Sequence, residues 1–418
     1  MKPVAVLVLL LAGAATAPAM AQLRTEVKLE NSAYANRGQS LDASLGERSR
    51  SDRSLKLRLM WKHAFAGSGW SLDSAYQLDV DQGGEVRLQR LLRQAYPELD
   101  ANTQRRNWWP LSRTISDSAN HRASQRLDRM TLDYAGEHLV LRIGRQALTW
   151  GSGLVFRPMD LFNPFAPDAT DTEYKPGSDM LYGQWLFGDG SDMQAVLVPR
   201  RDPVDRKLSG ASSAAGIKWH RQLGPEQTLG LDLMLARDGH ADVLGAALGG
   251  GWGGASWNLE AVPTRLRDGR VRTSLLANMQ YAWSWHGHNV NAYAEVFRNG
   301  FGVNDRRPLQ DLPPALLERL ARGELYTLSR HYLALGASVQ WSPLLALRPG
   351  LIGNLDDGSK LFSGQAEYSL GQDVGLTAGV VWPLGRYGSE YGGLPIAPGV
   401  PIFASPARSI YLRLTWYP

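Results

Sequence analysis

The run Ser274-Leu275-Leu276-Ala277-Asn278-Met279-Gln280-Tyr281-Ala282-Trp283-Ser284-Trp285 decides the fold. Leu275, Ala277, Met279, Tyr281, Trp283 and Trp285 share one parity; Ser274, Leu276, Asn278, Gln280, Ala282 and Ser284 share the other. A period of two is the signature of a strand, with one apolar face and one mostly polar or small. Alternation sustained over about 9–11 residues suits a tilted strand crossing a bilayer. Strands of a soluble sandwich are usually shorter, and their large apolar side chains meet between two sheets.

The same pattern recurs in both directions along the chain. Leu55, Leu57, Leu59 and Trp61 alternate with Lys56, Arg58, Met60 and Lys62, and Trp70, Leu72, Ser74, Tyr76, Leu78 and Val80 alternate with Ser71, Asp73, Ala75, Gln77 and Asp79. Eighteen such segments begin near residues 23, 54, 70, 127, 139, 180, 192, 212, 228, 241, 252, 272, 289, 331, 345, 361, 375 and 408. Glycine blurs the pattern around 241–262, which leaves sixteen strands as the alternative. The links after odd-numbered segments are mostly long (33–53, 81–126, 147–179, 200–211, 263–271, 298–330 and 384–407); those after even-numbered segments are tight turns such as Ala66-Gly67-Ser68-Gly69 and Gly371-Gln372-Asp373. This asymmetry predicts an all-β, closed antiparallel transmembrane barrel, with short periplasmic turns, long extracellular loops and both termini periplasmic. Trp61, Trp70, Trp283, Trp285, Trp341, Trp382 and Trp416 fall near strand ends, as an interfacial girdle requires.

Composition agrees. The 418 residues are 44% hydrophobic and 20% charged, without cysteine. No run of 18 or more uncharged apolar residues follows residue 21, which excludes a helical membrane protein, and the lack of cysteine excludes disulfide scaffolds and thiol nucleophiles. Lys2, the apolar run Val4–Ala15 and Ala19-Met20-Ala21 read as a signal peptide over 1–21 cleaved before Gln22; the alternative is an N-terminal anchor. Cleavage removes Lys2 alone among charged residues and leaves 44 basic against 40 acidic, so nucleic acid is not an expected partner. The last strand sets Ile410, Leu412, Leu414 and Trp416 against Tyr411, Arg413, Thr415 and Tyr417. It resembles the C-terminal signal read by the barrel assembly machinery, with Tyr417 standing in for the final aromatic before Pro418.

In a barrel the polar face lines the lumen, and eighteen strands enclose more space than their own side chains fill. Interior positions include Arg24, Glu26, Lys28, Glu30, Lys56, Arg58, Lys62, Asp73, Asp79, Arg129, Asp133, Arg142, Arg348, Glu367 and Arg413, nine basic and six acidic. Such a lining favours small polar or anionic solutes; alternatively the charges pair across strands and satisfy one another. The expected selectivity residues are Lys56, Arg58, Arg129, Arg142, Arg145 and Arg413, with Arg142 and Arg145 flanking a constriction.

That constriction is expected from the loop 147–179. After Gly144-Arg145-Gln146, Gly151 and Gly153 permit a change of direction, Pro158 and Pro164 forbid ladder pairing, and Phe156, Met159, Leu161, Phe162 and Phe165 are too apolar for an extracellular loop. The segment either tucks inward, presenting Trp150, Phe156, Arg157, Asp160, Phe162 and Asn163 to the pore, or packs on its neighbours at the mouth. The run from Leu141 to Pro199, with Gly144-Arg145-Gln146, Trp150-Gly151, Pro158 to Pro164 and Tyr174-Lys175, resembles proteobacterial outer-membrane proteins distantly similar to alginate-export porins. The resemblance covers about 60 residues and implies a porin-like barrel with an inward loop after a glycine-arginine-glutamine strand. In alginate export an arginine-rich lumen attracts a carboxylated polymer; here Lys56, Arg58, Arg129, Arg142 and Arg413 are interleaved with acids.

The loop 81–126 carries Arg87, Arg90, Arg93, Arg105, Arg106 and Arg113 with Trp108-Trp109 and a helical pattern over Val86–Gln94, and its basic residues suit lipopolysaccharide phosphates. Pro313-Pro314 opens a short helix through Leu316, Leu317 and Leu320, stopped by Gly323, as a surface cap or a lid. None of the eight histidines falls in a serine or acid motif, and His286-Gly287-His288 sits in a turn without carboxylates. The reading is therefore a monomeric Gram-negative outer-membrane channel for passive diffusion or export, not an enzyme, without metal or cofactor. Its alternatives are an outer-membrane barrel enzyme, a gated export component working with an inner-membrane partner, or a filled structural barrel.

Overall fold

The computed structural model describes residues 21–95, 106–202, 205–224 and 228–418. The signal-peptide segment 1–20 lies outside the described residues, as do Arg105 and the side chain of Arg93.

Eighteen strands form the wall: β1 (Ala21–Ala35), β2 (Ser49–Ala64), β3 (Trp70–Gly83), β4 (His121–Ala135), β5 (Leu139–Gln146), β6 (Ser178–Leu186), β7 (Asp192–Val198), β8 (Ala214–Leu223), β9 (Leu229–Asp238), β10 (Ala241–Trp252), β11 (Ala255–Arg265), β12 (Val271–Trp285), β13 (His288–Arg298), β14 (His331–Ser342), β15 (Leu345–Asn354), β16 (Lys360–Ser369), β17 (Val374–Leu384) and β18 (Arg408–Trp416). Each pairs antiparallel with its neighbours, and β18 pairs with β1 from Val27↔Trp416 to Ala35↔Arg408. Closure leaves no edge, so every wall strand has a ladder on both sides, as a bilayer demands.

The alternation read on β12 is the inside and outside of the wall. Leu275, Met279, Tyr281, Trp283 and Trp285 are exposed on the outer surface, whereas Ser274, Leu276 and Asn278 are buried. Trp70, Trp283, Trp285, Trp341 and Trp416 are exposed at the short-turn end, and Trp382 is exposed at the other. The region 241–262 resolves into β10 and β11, so the barrel has eighteen strands rather than sixteen. Its pattern is faint because both faces of β10 are apolar or small: Leu244 faces out, while Val243 and Ala247 are buried inside.

Two features depart from simple alternation. Between β3 and β4 the register shifts, Ala75 pairing with Arg129 and Tyr76 with Leu127. The extra residue of this bulge, Asp128, is turned inward and almost fully buried. The β3–β4 loop then opens as a helix, α1 (Gly84–Ala95), and returns through a short strand, Ser112–Asp117, paired with the outer part of β4. That strand continues the wall above β5, which pairs with β4 only from Ala135 to Met130. In the β13–β14 loop, α2 (Pro314–Ala321) begins at the anticipated proline, and Gly323 follows it with φ +65°. Leu316 seals α2 against Phe301, Val303 and Leu312.

Candidate functional site: the lumen and its crossing loop

The β5–β6 loop, residues 147–177, leaves the wall where β5 stops short. Gly144 has φ +134°, and a Cβ there would lie 2.0 Å from the Met130 carbonyl oxygen, so only glycine fits. The next side chain, Arg145, is wholly buried. Its guanidinium pairs with Asp179 at 2.8 and 3.0 Å and donates to the carbonyls of Trp109 (2.6 Å) and Leu127 (3.3 Å). Arg145 thus ties β5, β6, β4 and the returning β3–β4 loop together, and it has no exposed surface to offer a solute.

The first half of the loop packs against the inner wall. Trp150, Met159, Leu161 and Phe162 form one apolar cluster with the inward side chains Met180, Val196, Val198, Met234, Val243 and Val262 of β6–β11. Phe156 stacks on Phe297 at 4.7 Å and joins Leu276, Tyr332 and Ile352. Trp150 also donates from Nε1 to Gln194 at 2.7 Å. Burial of five large apolar side chains at roughly 2 kcal/mol each is the main force holding this half in the lumen.

Two carboxylates of the wall complete the anchor. Glu295 on β13, fully buried, accepts from the backbone amides of Leu154 (2.7 Å), Val155 (2.9 Å) and Phe156 (2.7 Å), and from Asn278 (3.1 Å). Glu260 on β11 accepts from the Ser152 amide and, at 2.8 Å, from its hydroxyl. The tight turn between them needs Gly153, where a Cβ would sit 1.8 Å from the Phe156 oxygen. Further on, Asp160 is paired inside the loop with Lys175 at 2.6 Å. Burial pushes the Asp160 carboxyl up and the Lys175 ammonium down, and their mutual attraction opposes both shifts. Arg157 lies 5.6 Å from the Phe165 ring, and Asn163, at φ +54°, donates to Ser178 at 2.8 Å.

The second half crosses to the opposite wall. The Thr170 carbonyl accepts from Arg413 (3.1 Å) on β18 and Gln365 (3.3 Å) on β16. Asp171 lies 3.2 Å from Lys28 and 3.6 Å from Lys56; Glu173 lies 2.7 Å from Lys28 and accepts from the Tyr417 hydroxyl at 3.0 Å. Burial opposes it, but Lys28, Lys56 and Arg413 together hold the Asp171 carboxyl below the usual carboxylate range. The Arg58 guanidinium covers the Tyr174 ring at 4.1 Å and pairs with Asp128 at 2.8 Å. Arg129 shares Asp128 at 2.8 Å and donates to the Lys175 carbonyl.

Of the six basic residues anticipated as selective, Lys56, Arg58, Arg129 and Arg413 therefore surround the crossing loop, each beside a carboxylate: Arg413 pairs with Glu30 at 2.7 Å. Arg142 stands apart and exposed, 5.8 Å from the Tyr182 ring. Sequence reasoning missed Asp128, Asp171, Glu173, Glu260 and Glu295. Glu260 and Glu295 sit on the inner faces of β11 and β13, but only the returning loop supplies the amides they accept. Asp128 sits at the bulge, where parity itself breaks.

Between the crossing segment 169–173 and the short-turn end lies a chamber of about 870 Å³. Its charged lining is Lys28, Asp171, Glu173, Arg348, Glu367 and Arg413, and the rest is mostly amide and hydroxyl, with Tyr293, Tyr368 and Tyr417. Arg348 pairs with Glu367 at 2.9 Å. Among the described residues no group of three or more histidines, cysteines or carboxylates is placed to hold a metal ion. His288 stacks on Trp341 at 4.5 Å, beside the turn at 286–287.

No family model matches the chain, and no curated protein sequence does. Solved structures do. Pseudomonas aeruginosa OccK5 (OpdH) aligns with a TM-score of 0.54 at 9% identity, over 95% of this chain and 98% of that one. Acinetobacter baumannii OccAB2 aligns at 0.53 and 10%, over 95% and 98%. Pseudomonas aeruginosa OpdK, solved with vanillate, aligns at 0.52 and 11%, again over 95% and 98%. At such identities the likeness is one of fold: an outer-membrane barrel of porin type. None of these three is an alginate-export porin, so the resemblance holds only at the coarser level of the barrel fold.

Proposed function

We propose that this chain is an outer-membrane channel for passive diffusion or export of small polar and anionic solutes, narrowed by the loop 147–177. One observation carries the reading: the loop crosses the lumen and is tied to both walls, yet leaves a polar chamber of about 870 Å³ beside it. A barrel filled for structural purposes would have no use for a polar space of this size lined by amides, hydroxyls and charges. OpdK, of the same fold, was solved with a small aromatic carboxylate, which supports an anionic solute here. No chemical step is proposed. The inward loop and the Gly144-Arg145-Gln146 strand that precedes it are the features shared with alginate-export porins, but the acids beside Lys56, Arg58, Arg129 and Arg413 argue against a polyanion.

On this reading the chain reaches the outer membrane after removal of residues 1–21. It is inserted by the barrel assembly machinery, stands as a monomer, and meets lipopolysaccharide through outer residues such as Arg87 and Arg113. Recording of the refolded protein in planar bilayers under a salt gradient tests the function. Steady ohmic openings with a reversal potential favouring anions are expected, and Arg142→Ala should reduce that preference because Arg142 is exposed to the lumen without a carboxylate partner within 4 Å among the described residues. A folded barrel that never conducts refutes the channel.

A further inference from the structure

The two halves of the crossing loop are held by different physics. Residues 150–163 are packed among buried apolar side chains and bolted by Glu260 and Glu295. The arm 169–174 meets the wall through charges, hydrogen bonds and the Tyr174 ring: Asp171 to Lys28 and Lys56, Glu173 to Lys28 and Tyr417, Thr170 to Arg413 and Gln365. Thr172 and Glu173 are exposed to the chamber. Because Thr172 and Glu173 open onto the chamber, the arm's polar contacts can be exchanged for water or ions entering there, whereas the apolar half has no such partner to take in exchange. The arm is therefore the half that yields.

The chemistry of its contacts says what it yields to. Lys28, buried in the wall, meets three carboxylates, of which Glu26 (2.8 Å) is fixed on its own strand while Asp171 and Glu173 arrive on the arm. Lys28 and Arg413 also line the chamber, so a solute inside it faces the same cations that the arm occupies. We propose that Asp171 and Glu173 are internal competitors for the solute's carboxylate. They fill the cation cluster Lys28, Lys56 and Arg413 when the pore is empty, and a small carboxylate displaces them, freeing the arm and widening the passage. The inference rests on the channel reading above and adds to it the two residues that set which anions pass. It also explains why basic lumen residues are interleaved with acids: a vacant cluster would hold chloride, whereas a cluster with its own carboxylates admits ligands that match them.

Single-channel recording of the full chain tests this with three proteins: wild type, D171N/E173Q, and the charge-keeping D171E/E173D. Loss of both carboxylates should raise the mean conductance about fivefold and move the reversal potential further toward anions, while the charge-keeping variant stays within about twofold of wild type. Unchanged conductance and reversal potential in D171N/E173Q overturn the competition and leave the channel standing, since wild type still conducts. Silence of all three overturns both. Should D171N/E173Q not fold, wild type titrated with sodium succinate at constant ionic strength decides. An open probability rising to saturation supports displacement of the arm; one independent of succinate overturns it.

Discussion

Glu295 shows how one side chain can organise a pore. A carboxylate accepting three consecutive backbone amides fixes the turn at 154–156 in a place where those amides have no strand to pair with. Glu295→Ala leaves the three amides and Asn278 short of an acceptor beside a buried apolar cluster. The expected cost is roughly 3 kcal/mol, since each buried polar group left unpaired costs about 1–3 kcal/mol and relaxation recovers part of the total. Urea unfolding in detergent should show the lower midpoint, and the same variant should conduct with a noisier, larger open level. Equal midpoints would mean that the apolar half of the loop holds itself. The sequence reading did not single out this residue, because the partners that give it a task lie about 140 positions earlier in the chain.

At the scale of an element, the β17–β18 loop (385–407) is docked by a buried acid without a basic partner within 4 Å among the described residues. Glu390 accepts from the Leu328 amide (2.9 Å), the Tyr332 hydroxyl (2.6 Å) and Asn354 (2.7 Å). Burial pushes its carboxyl up to about 6, and the charge of Asp357 adds to the shift. A carboxyl that holds its proton more tightly in the folded state stabilises that state below the ordinary value near 4.5, and the benefit is lost as pH rises through about 6. The loop should therefore be docked more firmly at pH 5 than at pH 7.5. Amide exchange over 386–394, corrected for the intrinsic rate, should show the difference, and Glu390→Gln should abolish it. Equal protection at both pH values would remove Glu390 as the clasp.

For the whole molecule, closure through β1 and β18 predicts the behaviour of a barrel rather than of an open sheet. The folded chain should migrate faster than the boiled chain in cold dodecyl sulfate gels, and expressed protein should sediment with outer-membrane fractions. Truncation of β18 at Arg408 should abolish both, because it exposes the paired edges of β1 and β17 together. A truncated chain that kept the fast-migrating form would show that closure is not what stabilises the wall.

Eighteen strands, their order and the inside and outside of the wall were legible in residue parity. A bilayer imposes one rule on every strand, and that rule is local: apolar outward, polar or small inward, over a fixed length. Where the rule faded, at 241–262, the cause was a non-local contact. The inner face of β10 and its neighbours is apolar because Trp150, Met159 and Phe162 cover it from another part of the chain. Tertiary structure alone decided the rest: that Arg145 is a buried tie, that Asp128 enters the lumen through a bulge, and that Asp171 and Glu173 cross to Lys28. Each depends on which segments meet in space, through a neighbouring strand, a bulge or a crossing of the lumen, and local periodicity carries no record of those meetings.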